Sequence, residues 1–314
     1  MVRKYVSTIL LLMFATGCSG VSAVSGNQSE PLKVRSVPTH TSQVTNKELE
    51  FTINLVHPES KEALYSFVPT LKPVNDEEYN EHLKNIASDL ALKLDRPMVP
   101  SKVDSNGKLT AGISRIILDE EKLVTMLTNV KALDKELDIP LEITNPNVTD
   151  EAVKLIDEVV IGSYKTSFNP GVTGRTENIS LSANAINQIV LGPGDRFYFN
   201  LVVGERTTAR GYQKAMEIVD KEFVEGIGGG ICQTSSTLFN AVDHAGLEII
   251  EHHSHSRSIG YVPAGRDATV SWNGPDFKFI NSKDYPVMIK TFVNKASGTI
   301  EVQVTAAKNS VKRI

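Results

Sequence analysis

The sequence predicts an α+β fold, in the form of two small α+β domains that follow an export segment and a flexible tether. Three observations predict it. Short stretches of alternating apolar and polar residues, bounded by Gly, Asn or Pro, read as antiparallel strands. Longer segments with apolar residues three and four apart, opened by Asn, Asp or Thr, read as helices interleaved with those strands. The third is composition: of 314 residues, 40% are hydrophobic and 22% charged, which suits folded domains with ordinary cores. No internal repeat of solenoid length is present, and a formal net charge of −4 argues against a strongly basic nucleic-acid surface.

The first residues read as an export signal. Arg3 and Lys4 precede an apolar run from Val6 to Phe14, and Ala15-Thr16-Gly17-Cys18 closes it. The run is about ten residues long, half of the roughly 20 that a membrane-spanning helix needs. Small residues directly before a cysteine resemble the lipidation box of bacterial lipoproteins, with Ala15 where that pattern commonly has Leu. The resemblance implies removal of residues 1–17 and acylation of Cys18, palmitate being one expected chain. Two or three chains, at about 0.8 kcal/mol per buried methylene, make a stable anchor on the outer face of the cell membrane. Cys232 is then the one other cysteine, so no intramolecular disulfide forms and stability must come from core burial. Residues 18–47, dominated by Ser, Thr, Val, Asn and Gly with Pro31 and Pro38, read as the tether.

The first domain is expected over 48–162. Leu49 to Leu55 alternates as a half-buried strand does. Asn75 with Glu78 is a capping-box arrangement, and Tyr79, Leu83, Ile86, Leu90 and Leu94 continue at helical spacing until Pro97. Met98 to Val103, the Ser105-Asn106-Gly107 turn and Leu109 to Ile113 form a hairpin. Asp119 caps a second helix through Leu123, Met126, Leu127 and Val130. Pro140 to Ile143 is a strand, and Thr149 caps a third helix through Val153 and Ile156. No residue here makes a chemical constellation, and the Lys and Glu pairs have the spacing of solvated helix faces.

The second domain, 163–307, is expected to place a cysteine-bearing helix on an antiparallel sheet. Ile179, Ala183, Ile186 and Ile189 give a helix over 178–189, with Arg175 and Glu177 near its start. Gly192-Pro193-Gly194 is a turn and Phe197-Tyr198-Phe199 a buried strand. Ser235 to Ala245 is a helix with Leu238, Phe239 and Val242 inward, and a strand runs on from His255 to Tyr261. The last two strands are Val287 to Val293 and Thr299 to Val304, joined through 294–298.

Several blocks in this half carry a family resemblance. They are Gly174-Arg175-Thr176-Glu177-Asn178-Ile179, Gly192-Pro193-Gly194-Asp195-Arg196-Phe197-Tyr198-Phe199-Asn200, and Val203-Gly204-Glu205-Arg206-Thr207. Then come Gly228-Gly229-Gly230-Ile231-Cys232-Gln233-Thr234-Ser235-Ser236-Thr237-Leu238, His255-Ser256, Tyr261-Val262-Pro263, Gly265-Arg266-Asp267-Ala268-Thr269-Val270 and Asp276-Phe277. In this order the blocks resemble the VanW family across roughly 163–292, with His252 where the family commonly has Arg. The family takes its name from an accessory protein of glycopeptide-resistance gene clusters, so the resemblance implies a cell-wall role without settling an activity. The helix, hairpin, helix and strand of the first domain likewise resemble the peptidoglycan-binding module often found before a VanW-like segment. Peptidoglycan or its peptide stems are the expected partner, beside the membrane reached through the lipid; protein partners are not indicated.

The chemistry of the second domain centres on Cys232. The triple glycine before it permits positive φ and close backbone approach. At a helix start, unpaired N–H groups and the helix dipole favour a thiolate and could hold an oxyanion. A cysteine on a helix start followed by a histidine is the chain order of papain-like thiol enzymes, and His255 is the preferred base over His252 and His253. Asp267 is the natural orienting acid, with Asp276 the alternative. A tight hairpin turning near Ala264 would instead set Asp267 opposite about Ile259 and let it orient Arg257 or Tyr261. Arg175, Asn178, Asn200, Glu205, Arg206, Gln233 and Ser235 form a polar set able to bind a peptide carboxylate, or else an internal salt-bridge and turn network. Cys232 could equally be a ligand-site wall without chemistry or a buried hydrophobe. The three histidines have no Cys, Asp or Glu partners at ligand spacing, so neither a metal nor another cofactor is expected. The preferred function is a membrane-anchored envelope lipoprotein that acts on or binds the wall, and the alternative is a thiol-dependent peptidoglycan amidase, peptidase or transpeptidase using Cys232 and His255.

Overall fold

The computed structural model of the protein describes residues 51–69, 75–219 and 222–311. The export segment, Cys18, the tether and the first residues of the opening strand lie outside these. Among the described residues no helix is long and apolar enough to cross a membrane.

The chain from Ile53 alternates strands and helices as expected. β1 (Ile53–Val56) and β2 (Ala63–Phe67) lead to α1 (Asp76–Leu94). Asn75 caps α1, its side chain accepting from the Glu77 N–H at 3.0 Å, and Leu83, Ile86, Ala87 and Leu90 are its buried face. β3 (Ser101–Val103) and β4 (Leu109–Thr110) form the predicted hairpin, with Gly107 at φ 78° in its turn. β5 (Arg115–Leu118), α2 (Glu120–Thr128), β6 (Glu136–Asp138), β7 (Leu141–Thr144) and α3 (Asp150–Val153) follow. Asp119 caps α2 through the Lys122 N–H at 2.9 Å. Thr149 caps α3, but that helix stops at Val153 and does not reach Ile156: the N–H groups of Leu155, Ile156 and Glu158 bond back three residues, which tightens the chain into turns. One core cluster joins the two long helices to the first sheet, through Leu83, Leu90, Leu123 and Leu127 against Ile53, Leu55 and Phe67.

The downstream half contributes β8 (Val159–Ser167), α4 (Thr173–Ile186), β9 (Ile189–Leu191), β10 (Arg196–Tyr198), α5 (Phe199–Val203), β11 (Lys214–Val219) and β12 (Glu222–Ile227). After these come α6 (Ile231–His244), β13 (Glu248–Glu251), β14 (Lys278–Ile280), β15 (Val287–Asn294), β16 (Thr299–Ala306) and α7 (Lys308–Val311). The predicted final hairpin is β15–β16, paired from Asn294↔Thr299 to Met288↔Thr305. The main sheet is antiparallel in the order β4-β3-β9-β15-β16-β8. Its edge is thus the hairpin of the upstream half, and Lys102 from that hairpin donates to the carbonyls of Asn184 and Ala185 at the C-terminus of α4, where a cation is favoured.

Helix α6 lies on this sheet. Gly162 of β8 allows the approach, because a Cβ there would stand 2.4 Å from the Ala241 carbonyl oxygen. On its other side Phe239 meets Phe277 edge to face, 5.7 Å between ring centres; Phe277 immediately precedes β14, whose Phe279 belongs to the small sheet β10-β14-β13. Clad on both sides, α6 buries every residue from Ile231 to Val242 except Cys232, which is partly exposed.

Three further expectations need correction. α4 begins at Thr173, five residues earlier than predicted, so Arg175 lies inside the helix and Glu177 faces out to pair with Lys295 at 2.7 Å. β10 ends at Tyr198, and Phe199 opens a short helix although it is fully buried as expected. No strand runs from His255 to Tyr261 and no tight hairpin turns near Ala264: between β13 and β14, residues 252–277 form a long irregular loop.

Candidate active site

The irregular loop is held by polar side chains of α6. Ser235 Oγ donates to the Ala268 carbonyl at 2.6 Å, Ser236 Oγ accepts from the Ala268 N–H at 2.8 Å, and Asn240 Nδ2 donates to the Arg266 carbonyl at 2.8 Å. Arg266 returns two bonds, from Nε to Asn240 Oδ1 at 2.6 Å and from Nη2 to Asp243 Oδ2 at 2.7 Å. These bonds satisfy backbone groups that a strand ladder would otherwise satisfy. They also lay residues 266–270 along α6, from Arg266 at Asn240 and Asp243 to Val270 beside Cys232.

Cys232 is the second residue of α6. The N-cap is Gly230, at φ 113°, a conformation that side-chain-bearing residues rarely adopt. Gly229 before it sits against backbone: a Cβ there would stand 2.6 Å from the carbonyl oxygens of both Ala215 and Met216. Asn178, fully buried on α4, ties the turn down, donating to the carbonyls of Gln213 at 2.8 Å and Gly229 at 3.0 Å and accepting from the Gln213 N–H at 2.8 Å. A Gly229→Ala change should therefore cost about 1–3 kcal/mol through forced backbone movement. Thermal unfolding checks this: a midpoint equal to that of the parent would mean the turn is looser than it looks.

The thiol faces the loop, with Sγ 3.5 Å from the Val270 carbonyl oxygen and 3.8 Å from Thr269 Oγ1. His255 lies beside it. Burial pushes the Cys232 thiol up, but hydrogen bonding and charge from the His255 imidazole outweigh this and hold it below its ordinary value. Burial opposes the charged form of His255 in turn, yet Cys232 and Asp267 together raise it. Asp267 Oδ2 accepts both the His255 backbone N–H at 2.6 Å and His255 Nδ1 at 2.7 Å. Only 7% of the His255 side chain and 9% of the Asp267 side chain are exposed. Burial raises the Asp267 carboxyl, but those two bonds win and lower it. With Nδ1 taken, Nε2 is the ring nitrogen left for the thiol.

The three candidate catalytic residues thus stand in sequence, Cys232 to His255 to Asp267. Asp276, the alternative acid, is spent elsewhere: its Oδ1 accepts from the N–H groups of Asn200 and Phe277, both at 2.8 Å. His252 stacks on Phe239 and meets the Asp267 carbonyl through Nε2 at 2.6 Å, while His253 pairs with Glu251 at the surface. The polar set divides. Asn178 and Ser235 serve internal bonds, Glu205 is exposed, and Gln233 Nε2 reaches Thr166 Oγ1 and the Ser167 carbonyl of β8. Arg175 donates to Gln233 Oε1 at 2.8 Å and Arg206 to Asn200 Oδ1 at 2.6 Å. Tyr261, which sequence reasoning offered only as a group for Asp267 to orient, lies 5.9 Å beneath Arg175, and burial first, then the charge of Cys232, raises its phenol. Its signal was the Tyr-Val-Pro block, which carries no chemistry of its own.

The family model described as VanW like protein matches residues 174–304. The chain carries a VanW-like domain. All of Arg175, Arg206, Cys232, His255 and Asp267 fall within it. Over 155 residues, 49% of its length, the chain is 51% identical to the uncharacterized protein YoaR of Bacillus subtilis, covering 51% of that protein. Over 112 residues, 34% of its length, it is 30% identical to the vancomycin B-type resistance protein VanW of Enterococcus faecalis, covering 41% of that one. The chain therefore spans about half the length, or less, of these curated relatives. No solved structure matches the chain.

Proposed function

We propose that this protein is a thiol-dependent acyl-transfer enzyme that attacks amide bonds in cell-wall peptides. The observation that carries the reading is the sequence Cys232, His255, Asp267 at the one partly exposed position between Ile231 and Val242 of α6. The Cys232 thiolate attacks the amide carbonyl carbon, forming a thioester as the carbon–nitrogen bond breaks. The leaving amine takes its proton from the His255 imidazolium. Water, or an amine in a transpeptidation, then attacks the thioester while His255 accepts its proton, the carbon–sulfur bond breaks, and the thiolate–imidazolium pair is restored. The N–H groups of Ile231 and Gln233 bond back to Gly228 and Gly230, which leaves the Cys232 N–H as the first-turn donor for the oxyanion. Incubation with peptidoglycan stem peptides followed by intact-mass measurement should trap an acyl adduct on Cys232, and Cys232→Ala should abolish turnover. Full activity of that variant would sink the reading.

The resistance named in the Enterococcus relative supports the cell envelope as the place of action. We place the protein on the outer face of the membrane, held by acylated Cys18 through the tether, with residues 48–162 as a wall-binding partner to the catalytic domain. Cys18→Ala should release the exported protein from the membrane pellet without lowering its unfolding midpoint, because the anchor lies outside the core. Retention in the pellet would mean that another surface holds it.

A further inference from the structure

Two arginines flank the Cys232 turn, and their stems explain two of its glycines. A Cβ at Gly228 would stand 3.1 Å from both Cβ and Cγ of Arg206, and one at Gly230 would stand 2.9 Å from Cγ of Arg175. Among the described residues neither guanidinium forms an ion pair with Asp or Glu. Arg175 is bonded to Gln233, the residue next to the thiol. Arg206 donates from Nη2 to Asn200 Oδ1, and Asn200 is itself pinned by Nδ2 to the carbonyls of Ser271 and Pro275. Arg206 Nη1, by contrast, is buried with no hydrogen-bond partner. A buried cationic N–H without an acceptor is costly, and few persist in folded proteins without a reason. The nearby Asp276 does not relieve it, since its Oδ1 serves the Asn200 and Phe277 N–H groups. Charge on Cys232 is felt at both guanidinium groups, so they lie within electrostatic reach of the sulfur.

We propose that Arg206, with Arg175 beside it, binds a carboxylate of the substrate next to the bond that Cys232 attacks, so that the enzyme takes peptides ending in a free carboxylate near that bond. The inference rests on the reading of Cys232 as the nucleophile. A guanidinium is planar and always charged, and it matches a carboxylate in geometry as well as sign. Shielded from water, the contact is stronger than it would be at the surface. The free acid of a peptide should therefore be preferred over its terminal amide.

Iodoacetate and iodoacetamide test this, because they deliver the same carbon to the thiol and differ in carrying a carboxylate or an amide. On the folded full-length chain, the ratio of the two alkylation rates of Cys232, divided by the same ratio for glutathione, should favour iodoacetate by about tenfold or more. Arg206→Gln should return the ratio to that of glutathione, and Arg206→Lys should retain part of the preference. Because each comparison is a ratio at one pH, the ionised fraction of the thiol cancels. Slow reaction with both reagents would overturn the nucleophile itself. Fast reaction with both, at the glutathione ratio or with a preference that Arg206→Gln leaves intact, would overturn the carboxylate site alone. Should Arg206→Gln fail to fold, protection of the parent protein against iodoacetamide decides: N-acetylalanine should protect Cys232 and its amide should not, and equal protection by both or by neither overturns the proposal.

Discussion

Folded Cys232 should react with iodoacetamide near pH 6.5 far faster than an ordinary thiol, which at a pKa of about 8.5 is only about 1% ionised there. His255→Ala should remove that advantage and lower turnover by about 10²- to 10⁴-fold. The sign follows from the two shifts. The thiol lies below its ordinary value and the imidazole above its own, chiefly because each stabilises the charged form of the other against the pull of burial. Both shifts favour the thiolate–imidazolium form of the pair. As pH falls through the lowered thiol value the thiolate is lost, and as pH rises through the raised imidazole value the proton for the leaving amine is lost. Alkylation, which needs only the thiolate, should thus begin at a lower pH than for a free thiol and persist above the imidazole value. Turnover should instead be bell-shaped. Removing His255 shifts the alkylation profile upward. If Cys232 labels only after denaturant is added, the sulfur is a packing group, and the Gly228–Gly230 turn is a device for close approach of helix and sheet.

The parts of this site differed in how plainly the sequence displayed them. Cys232 was legible because glycines before a helical pattern mark a helix start, and the helix proves to begin at Ile231, with the cysteine in its first turn. Asp267 was ambiguous because pairing arithmetic presumes a ladder. The segment 252–277 makes none, and its backbone is satisfied by Ser235, Ser236 and Asn240, which a helical wheel offers only as unremarkable polar positions. The start of α4 was misjudged for a related reason: its N-cap, Val172, makes no side-chain capping bond, so no signal stood at the true boundary. The β11–β12 hairpin escaped notice because Ala215-Met216 and Ile218-Val219 are adjacent apolar pairs that break strict alternation. Asn178 was read among ligand-binding groups, yet its amide closes the glycine turn from a second helix, a role that depends on a long-range approach no local pattern encodes. The upstream elements were read more closely, since Asn75, Asp119 and Thr149 each carry their capping bond within three residues.

Asp267→Asn should lower turnover by about 10²- to 10⁴-fold while leaving the unfolding midpoint nearly unchanged. Asparagine keeps the volume, and its carbonyl oxygen can still accept the His255 backbone N–H that Asp267 Oδ2 now accepts at 2.6 Å. What it removes is charge. A neutral amide no longer favours the imidazolium, so the imidazole value falls, the thiol loses part of its partner's charge, and alkylation near neutral pH slows in proportion. A second effect adds to the first if the amide nitrogen turns toward His255 Nδ1. That nitrogen must then accept, the ring proton moves to Nε2, and the base presents a donor to the thiol it should deprotonate. Asp267→Ala separates this from a structural role, because it strips the backbone N–H of its acceptor as well and should lower the unfolding midpoint where Asn does not. The decisive comparison is therefore Asn against the parent at equal stability. Parent-like turnover in Asp267→Asn would show that the carboxylate merely fastens the 252–277 loop and that His255 needs no orienting charge.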